Sequence, residues 1–131
     1  MPFSPLSILG MWVRGLFALA IFSSANAAGD AAAGATVFAQ CSACHAVGAD
    51  AQNNVGPVLN GVVGRTAGTY PGYRYSSAMK KSGLTWDEAT LTQYLRGPDK
   101  VLPGTKMAFP GIASDADLAN VIAYLKQQAA Q

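Results

Sequence analysis

The clearest periodicity of apolar and polar positions lies near the C-terminus of the chain. Its apolar residues follow the i, i+3, i+4, i+7 spacing of one helix face, at Leu118, Val121, Ile122 and Leu125. Residues 114–117 are Ser-Asp-Ala-Asp, and acidic side chains in a first turn interact favourably with the helix dipole. This pattern predicts a C-terminal helix that buries one side.

A second helix is predicted at residues 30–43, shortly after the largely apolar segment at residues 1–27. Alanine predominates there, and Gly34, Val37 and Phe38 are the positions expected to pack against a neighbour. Two cysteines lie at the end of this predicted helix, so its geometry bears on their chemistry.

Two shorter helical segments are predicted in the middle of the chain. Residues 85–88 have the Ser/Thr-x-x-Glu pattern of a capping box, and the helix they start ends at Gly97-Pro98. Its expected buried face consists of Leu91, Tyr94 and Leu95. Residues 76–82 are predicted to form a short helical turn before Gly83. No segment shows the alternation of apolar and polar residues that is typical of a strand, so the predicted fold class is all-α.

The segment from residue 47 to residue 75 is a long connection rich in glycine and proline. So long a stretch without predicted secondary structure is unusual in a compact domain unless it has a functional role. We therefore expect this segment to wrap around a ligand.

Residues 1–27 have the features of a secretory signal peptide. One charge, Arg14, precedes an apolar run at residues 15–22, and Ala25-Asn26-Ala27 gives the small-x-small pattern of a cleavage site. The apolar run is shorter than the roughly 20 residues that span a bilayer. We predict a signal peptide at 1–27 and one domain at 28–131; an uncleaved anchor and a true start at Met11 are the alternatives.

Charge and composition narrow the range of partners. Without Arg14 the chain is nearly neutral, and its longest basic run is Lys80-Lys81, so no nucleic-acid partner is predicted. A small domain has little core of its own, and a buried prosthetic group would form a large part of its interior.

The candidate chemistry lies in the sequence Cys41-Ser42-Ala43-Cys44-His45, a C-x-x-C-H motif typical of covalent haem c attachment. Positions three apart share one helix face, so Cys41 and Cys44 can both reach the vinyl groups of a porphyrin. His45 follows directly and can bind the iron.

Zinc binding, thiol redox chemistry and a plain disulfide fit the motif less well than haem does. A structural zinc site needs four ligands, and two cysteines with one histidine offer three. A thioredoxin-like redox pair belongs in a βαβ context, which this sequence lacks. A disulfide would suit an oxidising compartment, but it does not account for His45, the one histidine of the chain, following the pair directly.

We expect methionine as the second axial ligand of the iron, because the chain has no second histidine and methionine is a common partner of histidine. Met79 and Met107 remain once the leader is removed. Met79 is better explained as a partly buried filler of apolar space. Met107 lies in the proline- and glycine-containing segment 103–110, and a stiff loop suits a weak thioether ligand.

Taken together, residues 28–131 resemble the class I c-type cytochromes of the mitochondrial and bacterial cytochrome c2 type. The resemblance rests on the C-x-x-C-H motif, Gly56-Pro57, Gly64-Arg65, residues 71–75, residues 80–86, Tyr94-Leu95, Pro98 and residues 103–107. It implies N- and C-terminal helices that cross beside one covalently bound haem c, with Gly34 allowing close approach to Tyr124.

The resemblance also implies roles for individual side chains. It implies that the Pro57 carbonyl accepts a hydrogen bond from His45 Nδ1, that Tyr94 bonds the sulfur of Met107, and that the remaining residues hold the haem propionates: Arg65, Tyr75, Trp86 and Thr105. Of the lysines that steer acidic partners in mitochondrial members, Lys100 and Lys106 are the ones present. Met79 replaces an asparagine of the family.

The expected function is that of a monomeric periplasmic electron carrier rather than an enzyme. Its expected partners are membrane or periplasmic redox complexes: a quinol-oxidising complex, a terminal oxidase, a photosynthetic reaction centre or a dehydrogenase. The sequence leaves two alternatives open: a fixed electron-transfer subunit of a dehydrogenase, and a haem peroxidase or gas-binding protein in which Met107 is not a ligand.

Overall fold

A computed structural model describes residues 29–129, and the predicted signal peptide at 1–27 lies outside this range. Five helices form the described part of the chain: α1 (Ala31–Phe38), α2 (Ser77–Lys81), α3 (Glu88–Arg96), α4 (Pro98–Val101) and α5 (Asp115–Lys126). The extended structure described there consists of one isolated bridge between Thr66 and Thr85. The all-α prediction is therefore confirmed. No helix within residues 29–129 has the length and apolar character needed to cross a membrane.

The predicted C-terminal helix is confirmed, with Ser114 as its N-cap. The Ser114 hydroxyl accepts a hydrogen bond from the Asp117 N–H at 3.2 Å, and the four residues of the predicted apolar stripe are buried. The short helix α2 also occupies the predicted place, and the Ser76 hydroxyl caps it by accepting from the Met79 N–H.

The capping box at residues 85–88 is a wrong prediction. The N-cap of α3 is Asp87, whose carboxylate accepts a hydrogen bond from the Thr90 N–H at 2.7 Å and whose pKa this bond lowers. Thr85 is instead paired with Thr66 in the β-bridge, which holds its backbone away from a helix start. The helix therefore begins at Glu88 and ends, as predicted, before Gly97.

The first helix is shorter than predicted, because α1 ends at Phe38 and not at residue 43. Residues 39–44 form consecutive turns, in which the Cys41 N–H donates to the Phe38 carbonyl oxygen at 2.8 Å. The His45 N–H donates to the Cys41 carbonyl oxygen at 2.9 Å. The two cysteines thus lie on tight turns that follow the helix, and not on the regular helix that their spacing suggested.

The terminal helices α1 and α5 cross in close contact, as expected. A Cβ atom on Gly34 would lie 1.9 Å from the Asn120 carbonyl oxygen and 2.8 Å from the Tyr124 Cβ, so only glycine fits at this contact. The Phe38 and Tyr124 rings pack beside it, with centroids 5.2 Å apart. The Asp30 N–H also donates to Asn120 Oδ1 at 2.8 Å.

The connection at residues 47–75 contains no helix, and side-chain amides organise it. Asn60 is 4% exposed, and its amide both donates to the Gly48 carbonyl oxygen and accepts from the Gly48 N–H, each at 2.8 Å. Asn53 accepts from the Val58 N–H and donates to the Pro71 carbonyl oxygen. These bonds satisfy backbone groups that a strand or helix would otherwise pair.

Candidate functional site

A cavity of about 400 Å³ lies between the helices and the long connection. Its lining is mostly apolar and includes Leu91 and Leu95 of α3 and Val121 and Leu125 of α5. All ten residues predicted for the site line this cavity: Cys41, Cys44, His45, Pro57, Arg65, Tyr75, Trp86, Tyr94, Thr105 and Met107. The fold thus brings together residues that are widely separated in sequence.

One wall of the cavity is formed by His45 and the segment at residues 55–57. His45 Nδ1 lies 2.7 Å from the Pro57 carbonyl oxygen, so Nδ1 carries the proton that it donates, and Nε2 keeps a free lone pair. Gly56 packs on the ring, since a Cβ there would lie 2.4 Å from His45 Cε1. Burial lowers the pKa of His45, although the Pro57 bond opposes this effect. The ring is therefore held in the neutral form that can bind a metal.

The two cysteines line the same cavity as His45. Both are half-buried and form no disulfide. Burial and the neighbouring Cys44 raise the pKa of the Cys41 thiol. Within residues 29–129 no three His, Cys, Asp or Glu side chains cluster in a way that could hold a metal ion.

Met107 lines the cavity from a segment without regular secondary structure, between α4 and α5. Thr105 stabilises this segment, because its hydroxyl oxygen lies 2.7 Å from the Tyr94 hydroxyl and accepts from the Met107 N–H at 3.4 Å. Burial raises the pKa of Tyr94, which keeps its hydroxyl protonated at neutral pH. Tyr94 thus has Thr105 as its hydrogen-bond partner here, whereas the resemblance implied the sulfur of Met107.

A third group of predicted residues lines the cavity near the β-bridge. Arg65 Nη1 donates to the Asn60 carbonyl oxygen at 2.8 Å, and the guanidinium lies 5.1 Å from the centroid of the Tyr70 ring. The Tyr75 hydroxyl accepts from the Tyr70 N–H at 3.0 Å. Trp86 packs against Tyr94 with ring centroids 4.8 Å apart. This part of the lining offers a cation and aromatic side chains with polar groups.

Among the lining residues that were not predicted as parts of the site are Met79, Tyr73 and Lys106. Met79 was assigned to apolar filling, and the structure places it in the lining of the same cavity as Met107. Tyr73 and Lys106 belong to segments 71–75 and 103–107, on which the family resemblance already rested. Their contacts could not be inferred from sequence, because they join segments distant in the chain.

The residues present fit a covalently attached haem. The cavity is apolar and has a size typical of ligand pockets, both cysteines and the free Nε2 of His45 adjoin it, and a thioether sulfur lines it too. Arg65 and the neighbouring hydroxyls supply donors for acidic substituents.

Comparison with known proteins agrees with this fit. The family model described as Cytochrome c matches residues 31–129. The chain belongs to the cytochrome c family. It is 56% identical to a cytochrome c2 of Rhodomicrobium vannielii over 114 residues, which cover 87% of this chain and 91% of the relative. A cytochrome c2 of Blastochloris viridis is 50% identical over 115 residues, which cover 88% and 91%.

A solved structure gives the same result for the fold. Cytochrome cH from Methylobacterium extorquens superposes with a TM-score of 0.71 at 56% identity, covering 75% of this chain and 98% of that one. The chain therefore has the class I cytochrome c fold. Its cofactor is a single, covalently bound haem c, with which Cys41 and Cys44 are consistent, and its role is that of an electron carrier.

Proposed function

We propose that His45 and Met107 are the two axial ligands of the haem iron, and that Cys41 and Cys44 form the thioether bonds. What supports this most strongly is that one apolar cavity is lined by the only histidine of the chain, both cysteines and the Met107 side chain. The haem accepts and gives up one electron, and a methionine ligand opposite histidine raises its reduction potential.

The surrounding residues hold this arrangement. The Pro57 carbonyl oxygen fixes the proton on His45 Nδ1, which leaves Nε2 for the metal. Tyr94 and Thr105 stabilise the segment that carries Met107 through their mutual hydrogen bond. Arg65, Tyr75, Trp86 and Thr105 are proposed to bind the propionates, since a buried carboxylate needs charged or hydrogen-bonding partners. The apolar lining excludes water, which keeps reorganisation small when the charge of the site changes.

The proposed physiological role is that of a monomeric shuttle in a bacterial periplasm, without enzymatic activity of its own. Its partners would be membrane or periplasmic redox complexes: a quinol-oxidising complex, a terminal oxidase, a reaction centre or a dehydrogenase. The names of the relatives, cytochromes c2 of Rhodomicrobium vannielii and Blastochloris viridis, support such a carrier. A small covalent haem protein suits this role, because it cannot lose its cofactor between two partners.

The ligation is tested by magnetic circular dichroism of the ferric protein, with Met107→Ala and Met79→Ala as a matched pair. Both side chains line the cavity, so both substitutions remove a thioether from the same space. The wild type and Met79→Ala should show a low-spin His/Met signature. Met107→Ala should lose it, keep its covalent haem and have a lower reduction potential. An unchanged signature in Met107→Ala would refute the ligation, and a high-spin wild type would favour a ligand-binding or peroxidase function.

A further inference from the structure

Another cavity, of about 200 Å³, lies where the start of the described chain meets α3 and α5. Gly29 lines one side of it, together with Glu88 of α3 and Lys126 of α5. Its apolar part includes Ile122, which is 4% exposed. We call this space, lined by these four residues among others, the terminal pocket. None of the ten residues predicted for the haem site lines it.

The backbone path at Gly29 is fixed before α1 begins. A Cβ atom on Gly29 would lie 1.9 Å from the Ala119 carbonyl oxygen, so the chain runs directly against the backbone of α5 there. The next residue, Asp30, donates its N–H to Asn120 Oδ1 at 2.8 Å, and its carboxylate accepts from the Ala32 N–H at 2.9 Å. Any residue bonded to the nitrogen of Gly29 therefore starts from the wall of the terminal pocket.

The predicted signal-peptide cleavage after Ala27 would leave one residue, Ala28, ahead of the described range. Hydrolysis of the bond between Ala27 and Ala28 consumes one water, and it gives a carboxylate on the released leader and an α-ammonium on Ala28. Consecutive Cα atoms are about 3.8 Å apart and an amino nitrogen is about 1.5 Å from its Cα, so this ammonium would lie within about 5.3 Å of the Gly29 Cα. Cleavage at this bond thus creates a cation beside the terminal pocket.

Glu88 supplies the carboxylate that can pair with this cation. The carboxylates of Asp30 and Asp87 are the N-caps of α1 and α3, and each accepts from the backbone of its own helix. The Glu88 carboxylate lines the pocket and forms an ion pair with Lys126. Both partners of this pair are more than half exposed, so Lys126 can move aside with little loss.

We propose that the terminal pocket is the binding site of the mature N-terminus, in which the Ala28 α-ammonium and Lys126 share the Glu88 carboxylate. The proposal rests on the predicted cleavage after Ala27 and is independent of the proposed haem ligation. In the precursor the same nitrogen belongs to a neutral amide, so removal of the leader adds a charge contact that the precursor lacks.

This contact would link two helices that are otherwise separate. Within residues 29–129, α1 and α3 each pack against α5 but not against each other. An ammonium bound to Glu88 would join the start of α1 directly to α3. The carboxylate would also offset the unfavourable interaction between a cation and the N-terminus of α1.

The test follows the titration of the Ala28 amine in the reduced holoprotein isolated after export. NMR of the Ala28 methyl group reports it, because the methyl shift changes when the amine loses its proton. The wild-type amine should bind its proton roughly threefold more tightly than the amine of Glu88→Gln, in which the ammonium has lost its partner. Lys126→Gln should have the opposite effect and raise the proton affinity roughly twofold above the wild type, because the ammonium then has Glu88 to itself.

The double variant Glu88→Gln, Lys126→Gln distinguishes a shared carboxylate from charges that act only at a distance. If the ammonium and Lys126 share Glu88, Lys126→Gln should change the proton affinity by less than about 1.3-fold once Glu88 is gone. An equal effect of Lys126→Gln in both backgrounds would overturn the shared contact.

A pair of uncharged substitutions tests whether the ammonium lies inside the pocket. Ala123→Leu fills the pocket from α5, and it should lower the proton affinity of the amine to that of Glu88→Gln. Ala116→Leu adds the same side chain at an exposed position of α5 that does not line the pocket, and it should leave the titration unchanged. Identical titrations of the two variants would contradict binding within the pocket.

The intact mass of the isolated holoprotein separates the two ways in which the proposal can fail. A first residue other than Ala28 would show that the cleavage prediction is wrong, and the proposal falls with it. If Ala28 is first and Glu88→Gln titrates as the wild type does, the cleavage is as predicted and the terminal pocket does not bind the N-terminus.

Discussion

The crossing of α1 and α5 and the connection at residues 47–75 enclose the same cavity by different means. At the crossing, two regular helices approach until the backbone of Gly34 contacts the Asn120 carbonyl oxygen. In the connection no regular element forms, and the Asn53 and Asn60 amides pair with the backbone groups instead. The first region is organised by shape and the second by individual polar contacts.

This difference predicts how each region responds to substitution. Close backbone packing tolerates no added volume, because neither helix can move without disturbing the buried side chains around it. A region organised by single hydrogen bonds can lose one of them and keep the path of its backbone, although the polar groups left unpaired lower the free energy of unfolding. Phe38 and Val121 of the crossing helices line the cavity together with residues of the connection, so we expect both regions to depend on the haem proposed to lie there.

The largest effect is expected from the double substitution Cys41→Ala, Cys44→Ala. It removes the covalent attachment, and without haem a cavity of about 400 Å³ lined by residues of α3, α5 and the connection is left open. We expect loss of the cooperative fold in both regions, measured by mass spectrometry for haem and by circular dichroism for helix content.

Ser42→Ala is the control for this change, because Ser42 lies between the cysteines and is exposed. It should retain haem and fold normally. A haem-free double variant with the helix content and melting behaviour of the wild type would contradict the dependence of both regions on the cofactor.

The next effect is expected at the helix crossing. Gly34→Ala places a Cβ where the Asn120 carbonyl oxygen would lie 1.9 Å away, so the helices must separate. Overpacking of this kind costs about 3 kcal/mol, whereas alanine in an unobstructed helix would gain about 1 kcal/mol over glycine. Denaturant unfolding of the holoprotein measures the difference.

Ala35→Gly is the matched control, since Ala35 is the next residue of α1 and is exposed. It should lose only the intrinsic helix propensity, about 1 kcal/mol. If both substitutions lowered the free energy of unfolding equally, the helices would have room for a side chain at residue 34, and the close contact with the Asn120 carbonyl oxygen would be contradicted.

A smaller effect is expected in the connection. Asn60→Ala removes both bonds to Gly48 and leaves the Gly48 N–H without a partner, while the Gly48 carbonyl oxygen keeps its bond from the Ala51 N–H, so the loss should be about 2 kcal/mol. Hydrogen exchange of the Gly48 amide should accelerate more than exchange of the amides in α5. Asn54→Ala, at an exposed position of the same connection, should change neither stability nor exchange.

The smallest effect is expected for the ion pair that links α5 to α3. Lys126 and Glu88 are 52% and 59% exposed, so their interaction is screened by water and salt. Lys126→Gln should lower the free energy of unfolding by about 0.5 kcal/mol, and less at high ionic strength. A decrease in the free energy of unfolding as large as that of Gly34→Ala would mean that polar contacts, and not close packing alone, stabilise the packed helices.

Much of the helical structure follows from local patterns. The apolar stripe and the acidic first turn of α5 are properties of neighbouring residues, and they predicted this helix correctly. Where two local patterns compete, prediction failed. Residues 85–88 fit a capping box, but Thr85 is drawn into a bridge with Thr66, so Asp87 becomes the cap. The end of α1 was missed because residues 39–44 continue as turns, in which some bonds still span four residues, as from the Ser42 N–H to the Phe38 carbonyl oxygen.

The sequence by itself determined the cofactor chemistry, because the C-x-x-C-H motif needs only five consecutive residues to define a haem attachment site. It also singled out Met107 and nine other residues that line the cavity. Only the tertiary structure decided that Tyr94 pairs with Thr105 and that Lys106 reaches Tyr73. These features depend on contacts between segments far apart in the chain, and the spacing of residues along the sequence does not give the spatial distance between such segments.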